Sequence, residues 1–129
     1  MNTIVLDAGA LIAVERRNRR MLSVLERAAI HDWTIVVPAA VIAETWRGAT
    51  THPAIARLLK AVHRIAALDQ HAAKRIGSLL AATGLSAGAH VVDAALESAP
   101  CVIATSDPTD LQRIIAATHP AKQIELYPL

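Results

Sequence analysis

The chain has no phenylalanine, and its aromatic residues are Trp33, Trp46 and Tyr127 alone. Its core must therefore be built from Val, Ile, Leu and Ala. Platforms that stack bases on aromatic rings, as in RRM and OB-fold domains, are excluded. There is one cysteine, Cys101, so no internal disulfide forms. It lies in the apolar run CVIA and reads as an inert core residue. No paired cysteines and no HExxH occur, so the six histidines supply no zinc pattern. The longest uncharged stretch, Ile76 to Val92, is too short to span a bilayer and contains Gly, Ser, Thr and His. The N-terminus lacks a basic segment, and Asp7 interrupts its apolar run, which argues against a signal peptide. A cytoplasmic protein with no membrane partner is expected.

What is present is a chain of 129 residues, 53% apolar. That fits one domain, 1–129, with a substantial core. The net charge of +2 permits an anionic partner without requiring one. The positive charge is uneven: Arg16, Arg17, Arg19 and Arg20 fall within five positions.

Apolar periodicity sets the element order. TIVLD reads as a short buried strand, continuous rather than alternating. AGALIAVERR and NRRMLSVLERAAIHD follow at helical spacing, then WTIVVP is a second strand stopped by Pro38. AAVIAETWRGA is a short helix closed near Gly48. PAIARLLKAVH is another, with proline at its start. RIAAL is a weak third strand. DQHAAKRIGSLLAATG is a helix capped by Asp69 and ended at Gly84, and AGAHVVDAALESAP is a helix ended by Pro100. CVIATS is the fourth strand, DPTDLQRIIAATH a helix, and KQIELYP a short last strand. Buried strands separated by helices predict an α/β domain of three layers. Its mainly parallel sheet has four to five strands, with helices on both faces.

Four of the eleven acidic residues sit among apolar neighbours. Asp7 ends the first strand, and Asp107 follows the fourth. Glu44 lies in VIAETW on the helix leaving the second strand, and Asp93 is mid-helix in HVVDAAL. Ligands of open α/β sheets bind at the carboxyl ends of the strands, where these residues are expected to gather. Simpler readings exist. Asp7 and Asp107 are each suited to capping the helix that follows, and Pro108 fits the first helical position. Glu44 can pair with Arg47 at i,i+3. Capping accounts for neither Glu44 nor Asp93. A hard divalent cation, Mg²⁺ or alternatively Mn²⁺, accounts for all four, because it offsets the mutual repulsion of converging carboxylates. His90, three residues before Asp93 on the same helix face, can lie near the site, and its simpler reading is a solvated side chain.

The order TIVLDAG, AAVIAETW, VVDAA and ATSDPTDL resembles that of the PIN domain family, and more narrowly its short VapC-type toxins. The resemblance runs from Asp7 to the strand near Leu126. It implies a PIN-like parallel sheet, an acidic pocket for Mg²⁺ or Mn²⁺, and metal-dependent hydrolysis of RNA. It implies Asp7, Glu44, Asp93 and Asp107 as the catalytic and metal-binding set, and Thr105 as a supporting hydroxyl. Asp110 is either a fifth acidic contributor or a first-turn charge favoured by the helix dipole. The resemblance further implies a homodimer and an inhibitory antitoxin partner. Since an acidic pocket repels RNA, Arg16, Arg17, Arg19, Arg20 and Arg47 are the candidate phosphate contacts. The arginine run reads equally well as a solvated helix junction.

Two other readings compete. A phosphoaspartyl domain also carries a strand-terminal Asp, but it needs a second acid close by and a lysine ending a late strand. Position 9 is Gly, and Lys60, Lys74 and Lys122 end no strand. A non-catalytic PIN-like scaffold binding RNA or protein is favoured if the acidic set is incomplete.

Overall fold

The computed structural model describes residues 2–85 and 88–129. Three apolar runs become the inner strands of a parallel sheet, β1 (Thr3–Leu6), β2 (Thr34–Pro38) and β4 (Cys101–Thr105), and the short β3 (Arg64–Ala66) lies at one edge. β5 (Ile124–Pro128) forms the other edge, and the strand order is β3-β2-β1-β4-β5. All four pairings are parallel, with Leu6 opposite Ala104 and Val5 opposite Val36. Helices cover both faces, so Ile4, Val5, Leu6, Val36, Val37, Ile103 and Ala104 are buried without alternation.

Seven helices connect the strands among the described residues: α1 (Ala8–Glu15), α2 (Arg19–Ile30), α3 (Ala39–Thr45), α4 (Pro53–Ala61), α5 (Gln70–Thr83), α6 (Ala89–Ser98) and α7 (Pro108–Thr118). Their contacts sort them into layers. α1 packs on α2 and α4, whereas α5, α6 and α7 pack on one another, and α3 touches both α1 and α6. The core is aliphatic, as the missing aromatics require. Its largest fully buried side chains are Ile4, Leu6, Leu11, Met21, Ile55, Ile103, Leu111 and Ile114. Cys101 is buried there, and desolvation pushes its thiol up to about 11, so it is inert.

The expected element order holds throughout. Several boundaries move. β3 stops at Ala66 rather than Leu68, and α6's expected start at Ala87 lies outside the described residues. α3 ends at Thr45, three residues before Gly48. There the Thr45 hydroxyl bonds back to the Val41 carbonyl at 2.8 Å, Trp46 turns extended, and the Arg47 N–H finds His52 Nδ1 at 3.1 Å.

The chain goes from β1 outward to β2, then returns past β1 to β4. The order therefore reverses between β1 and β4, and their carboxyl ends flank the position where open α/β sheets bind ligands. No helix among the described residues is long and apolar enough to cross a membrane.

Candidate functional site

Asp7 follows β1 directly. Its N–H donates to the Ala104 carbonyl at 3.3 Å, which fixes it beside the end of β4. Its carboxylate accepts from the Ala10 N–H at 2.7 Å and so caps α1. Thr105, fully buried, links the two strand ends. Its hydroxyl donates to the Asp7 carboxylate, while its oxygen accepts from the Asp107 N–H at 2.8 Å. Asp107 stands at the N-cap position of α7, but its side chain makes no capping bond. That carboxylate is exposed and uncommitted, unlike that of Asp7.

Burial pushes the Asp7 carboxyl above its ordinary value of 3.8. Hydrogen bonds from Thr105, Ala10 and the Ser106 backbone oppose the shift, and the neighbouring Asp107 charge adds to it. A partly desolvated carboxylate next to another carboxylate is a site where a cation lowers the free energy.

Gly9 makes this approach possible. A Cβ there would lie 1.8 Å from Ser106 Oγ and 2.6 Å from Ser106 Cβ. Any side chain at position 9 would push the first turn of α1 away from the loop that carries Asp107.

A cavity of about 170 Å³ opens at these strand ends. Asp7 and Asp107 line it on one side, Glu44 of α3 on another, and His90 at the start of α6 on a third. Among the described residues, no lysine or arginine lines it. Gly88, in the left-handed region at φ 87°, sets where α6 begins; a Cβ there would meet Leu111 Cδ2 at 2.4 Å. The start of α6 is thereby packed against the start of α7.

Asp93 is not in this cavity. It is buried one helical turn further along α6, where Arg75 of α5 grips it in bidentate fashion, Nε to Oδ1 at 2.9 Å and Nη2 to Oδ2 at 3.2 Å. Arg75 also pairs with Glu97. The mid-helix carboxylate thus has a cationic partner from a neighbouring helix, and its burial is accounted for without a metal.

The other expected residues also separate. Glu44 is exposed and forms no ion pair with Arg47, whose guanidinium instead donates to the Ala43 and Trp46 carbonyls. Asp110 lies outside the cavity, in the first turn of α7, near Arg113 at 3.8 Å. It is a helix-dipole charge. Arg16, Arg17, Arg19 and Arg20 are all exposed at the junction of α1 and α2, and none lines the cavity. Arg17 lies with Arg57 along a separate apolar groove formed by Val14, Leu22 and Ala54.

The donors fit a hard divalent cation in kind. Carboxylate oxygens surround a water-sized space, and Mg²⁺ commonly takes one or two carboxylates and keeps several waters. Among the described residues, no three His, Cys, Asp or Glu side chains already converge on one metal position. The Asp7 carboxylate is held by its cap to α1, whereas of Asp107 only the backbone N–H is held. Glu44 is exposed and His90 half-buried beside them.

No protein-family model matches the sequence, and no curated protein matches it. Solved structures share its architecture, two among them as follows. One is a chain of VapBC2 from Rickettsia felis bound to a DNA fragment from its promoter. It aligns with a TM-score of 0.69 and 17% identity over 97% of this chain and 98% of that one. The other is a chain of FitAB bound to an IR36 DNA fragment, with a TM-score of 0.64 and 16% identity over 97% and 94%. At these identities the likeness is one of fold, and the fold is PIN-like.

Proposed function

We propose that the protein is a divalent-metal-dependent endoribonuclease, the toxin of a toxin–antitoxin pair. The observation that carries this is the cavity at the β1/β4 switch point. Three carboxylates, Asp7, Glu44 and Asp107, line it without a cation of the protein's own. The fold shared with chains of VapBC2 and FitAB supports the toxin reading and a cognate antitoxin as partner. A homodimer in the cytoplasm belongs to the same reading.

Asp7 and Asp107 would hold Mg²⁺ or Mn²⁺, with Glu44 closing from α3. When bound, such an ion supplies Lewis-acid polarisation of a phosphoryl oxygen and a more acidic water. The chain's own part is positional. Thr105 fixes Asp7 relative to the Asp107 backbone, and Gly9 lets the two strand ends approach. Glu44, exposed on α3 and outside the Asp7–Thr105–Asp107 hydrogen bonds, is suited to orienting the attacking water and accepting its proton. Arg16, Arg17, Arg19, Arg20 and Arg47 lie outside the cavity, where they attract the RNA backbone rather than neutralise the carboxylates. Asp93 is a positioning residue in this reading, because Arg75 occupies its carboxylate.

The capture of Asp93 by Arg75 favours a second reading, a PIN-like scaffold that binds RNA or protein without cutting. The test uses protein freed of any partner, incubated with a mixed RNA pool in Mg²⁺, Mn²⁺ or EDTA, beside Asp7→Asn and Asp107→Asn. The expected result is metal-dependent cleavage lost in both variants. Cleavage that persists in both variants belongs to a contaminant. RNA binding without cleavage under any metal establishes the scaffold.

A further inference from the structure

β5 is the longer of the two edge strands, and its outer side has no partner among the described residues. Such an edge offers its free backbone groups to another chain. Which groups are free follows from the ladder to β4. Cys101 N–H donates to the Gln123 carbonyl, and Leu129 N–H donates to the Thr105 carbonyl. With the alternation of a strand, Gln123, Glu125, Tyr127 and Leu129 turn their backbone groups toward β4. Ile124, Leu126 and Pro128 turn theirs outward, and proline suits the open edge because it has no N–H to leave unpaired. α7 packs on one face of β5. On the other face, a cavity of about 300 Å³ is lined by Glu125 and Tyr127 of β5 and by Arg27 of α2. The Arg27 guanidinium lies 5.9 Å from the centre of the Tyr127 ring and forms no ion pair among the described residues. Ile30, three residues further along α2, is the most exposed large apolar side chain among the described residues, at 71%.

Resting on the homodimer in the reading above, we infer that a second copy of the chain occupies this edge. Its β5 runs antiparallel to the first across a twofold axis at Leu126, and the two sheets join into one. Leu126 N–H donates to the partner's Leu126 carbonyl and Ile124 N–H to the partner's Pro128 carbonyl, and the twofold repeats both. Glu125 then stands directly opposite the partner's Tyr127, beside the guanidinium that the partner's Arg27 holds over that ring. Opposite charges so placed attract, and the symmetry makes the pair twice. Other registers are poorer. A twofold at Glu125 sets two carboxylates face to face. One at Ile124 or Tyr127 pairs fewer residues of β5 with β5 and separates Glu125 from the partner's Arg27. Only the axis at Leu126 sets all five residues of the strand against their copies. An axis normal to the sheet keeps each face on its own side. Both α2 helices, with Ile30, therefore lie over the same face of the joined edge.

The test is sedimentation velocity on the full chain, freed of any partner, over a concentration series at low salt. Amide exchange by NMR is recorded at both ends of the series. The wild type is expected to dimerise. Ile124 and Leu126 amides should slow as concentration rises, whereas those of Glu125 and Tyr127, already bonded to β4, should be slow throughout. Arg27→Glu and Glu125→Arg are each expected to weaken the dimer about tenfold or more, because the symmetry applies each reversal twice. Combining the two reversals restores opposite charges and is expected to regain most of the loss. Arg27 and Glu125 are both exposed, so circular dichroism of each variant should match the wild type. A wild type that stays monomeric overturns the inference and the homodimer with it, and leaves the acidic cavity and its cleavage test untouched. A dimer that neither reversal weakens, with Ile124 and Leu126 amides unchanged by concentration, has its interface elsewhere. The inference then falls, and the homodimer stands.

Discussion

Asp7 makes opposing demands on the fold. As an N-cap it stabilises α1, since its oxygen satisfies the Ala10 N–H. As a buried charge beside Asp107 it destabilises the native state. Asparagine caps about as well as aspartate but carries no charge. Asp7→Asn is therefore expected to raise the melting temperature at neutral pH in EDTA, and to abolish the further rise that Mn²⁺ gives the wild type. Asp7→Ala, which loses the cap as well, is expected to be less stable than Asp7→Asn by about 1 kcal/mol in chemical denaturation. The pH dependence follows from the same carboxylate. Its folded pKa lies above the ordinary 3.8, so the native state binds the proton more tightly than the unfolded chain. In metal-free buffer, wild-type stability is expected to fall as pH rises from 3.8 through the raised folded value, and to stay lower above it. Urea midpoints for wild type and Asp7→Asn across that window test this directly. Their difference should open as pH rises and close again when Mn²⁺ is added.

One tie between elements concerns α1 and α4. α4 begins at Pro53 with no side-chain cap of its own. The Ala54 and Ile55 N–H groups donate instead to Glu15 Oε2, both at 3.0 Å, from the last residue of α1. One carboxylate thus satisfies two helix-terminal donors and meets the positive end of the helix dipole. Glu15→Ala is expected to lower stability by about 1–2 kcal/mol and to speed amide exchange at Ala54 and Ile55 before the rest of α4. Glu15→Gln should restore part of the loss. This contact shows why elements were legible in the sequence and their ties were not. TIVL, TIVVP and CVIAT are buried on both faces, so composition alone marks them as parallel strands. The positions of Asp7, Asp107 and Thr105 were legible for a related reason: each sits where a strand ends, a place fixed by local sequence. Asp93 was not, because its partner Arg75 lies 18 residues away on α5 and only packing brings them together. His90, read as solvated, is half-buried at the cavity for the same reason. A local signal existed for Gly9, the small residue two positions after Asp7. It served only to reject a second acid there, although it marks the closest approach in the site.

Across the whole molecule the charges are segregated along α1. Its N-terminus carries Asp7 and the acidic cavity, and its C-terminus runs into Arg16, Arg17, Arg19 and Arg20. Eight helical residues put about 12 Å between the ends, about one and a half Debye lengths at physiological salt. Closeness in sequence to Asp7 therefore does not put these guanidinium groups in the cavity, and they cannot neutralise its carboxylates. In the proposed ribonuclease, the same distance would let them hold phosphates of a strand without displacing a cation. Attraction and chemistry are then separable in experiment. Replacing all four arginines by glutamine is expected to weaken RNA binding strongly at low salt and little at high salt. Each phosphate contact on a single strand contributes about 0.7 to the slope of log K against log salt, so the slope should flatten by up to about 3 if all four engage. Calorimetric Mn²⁺ affinity should remain within about twofold, because the ion and the arginines do not share a pocket. Fluorescence anisotropy of a labelled RNA across a salt series gives the slope. An unchanged slope would make the arginine run a solvated helix junction, with the RNA contacts left to Arg47 and Arg57. A flattened slope with intact Mn²⁺ binding would show that the two ends of α1 divide the work of holding RNA and holding the cation.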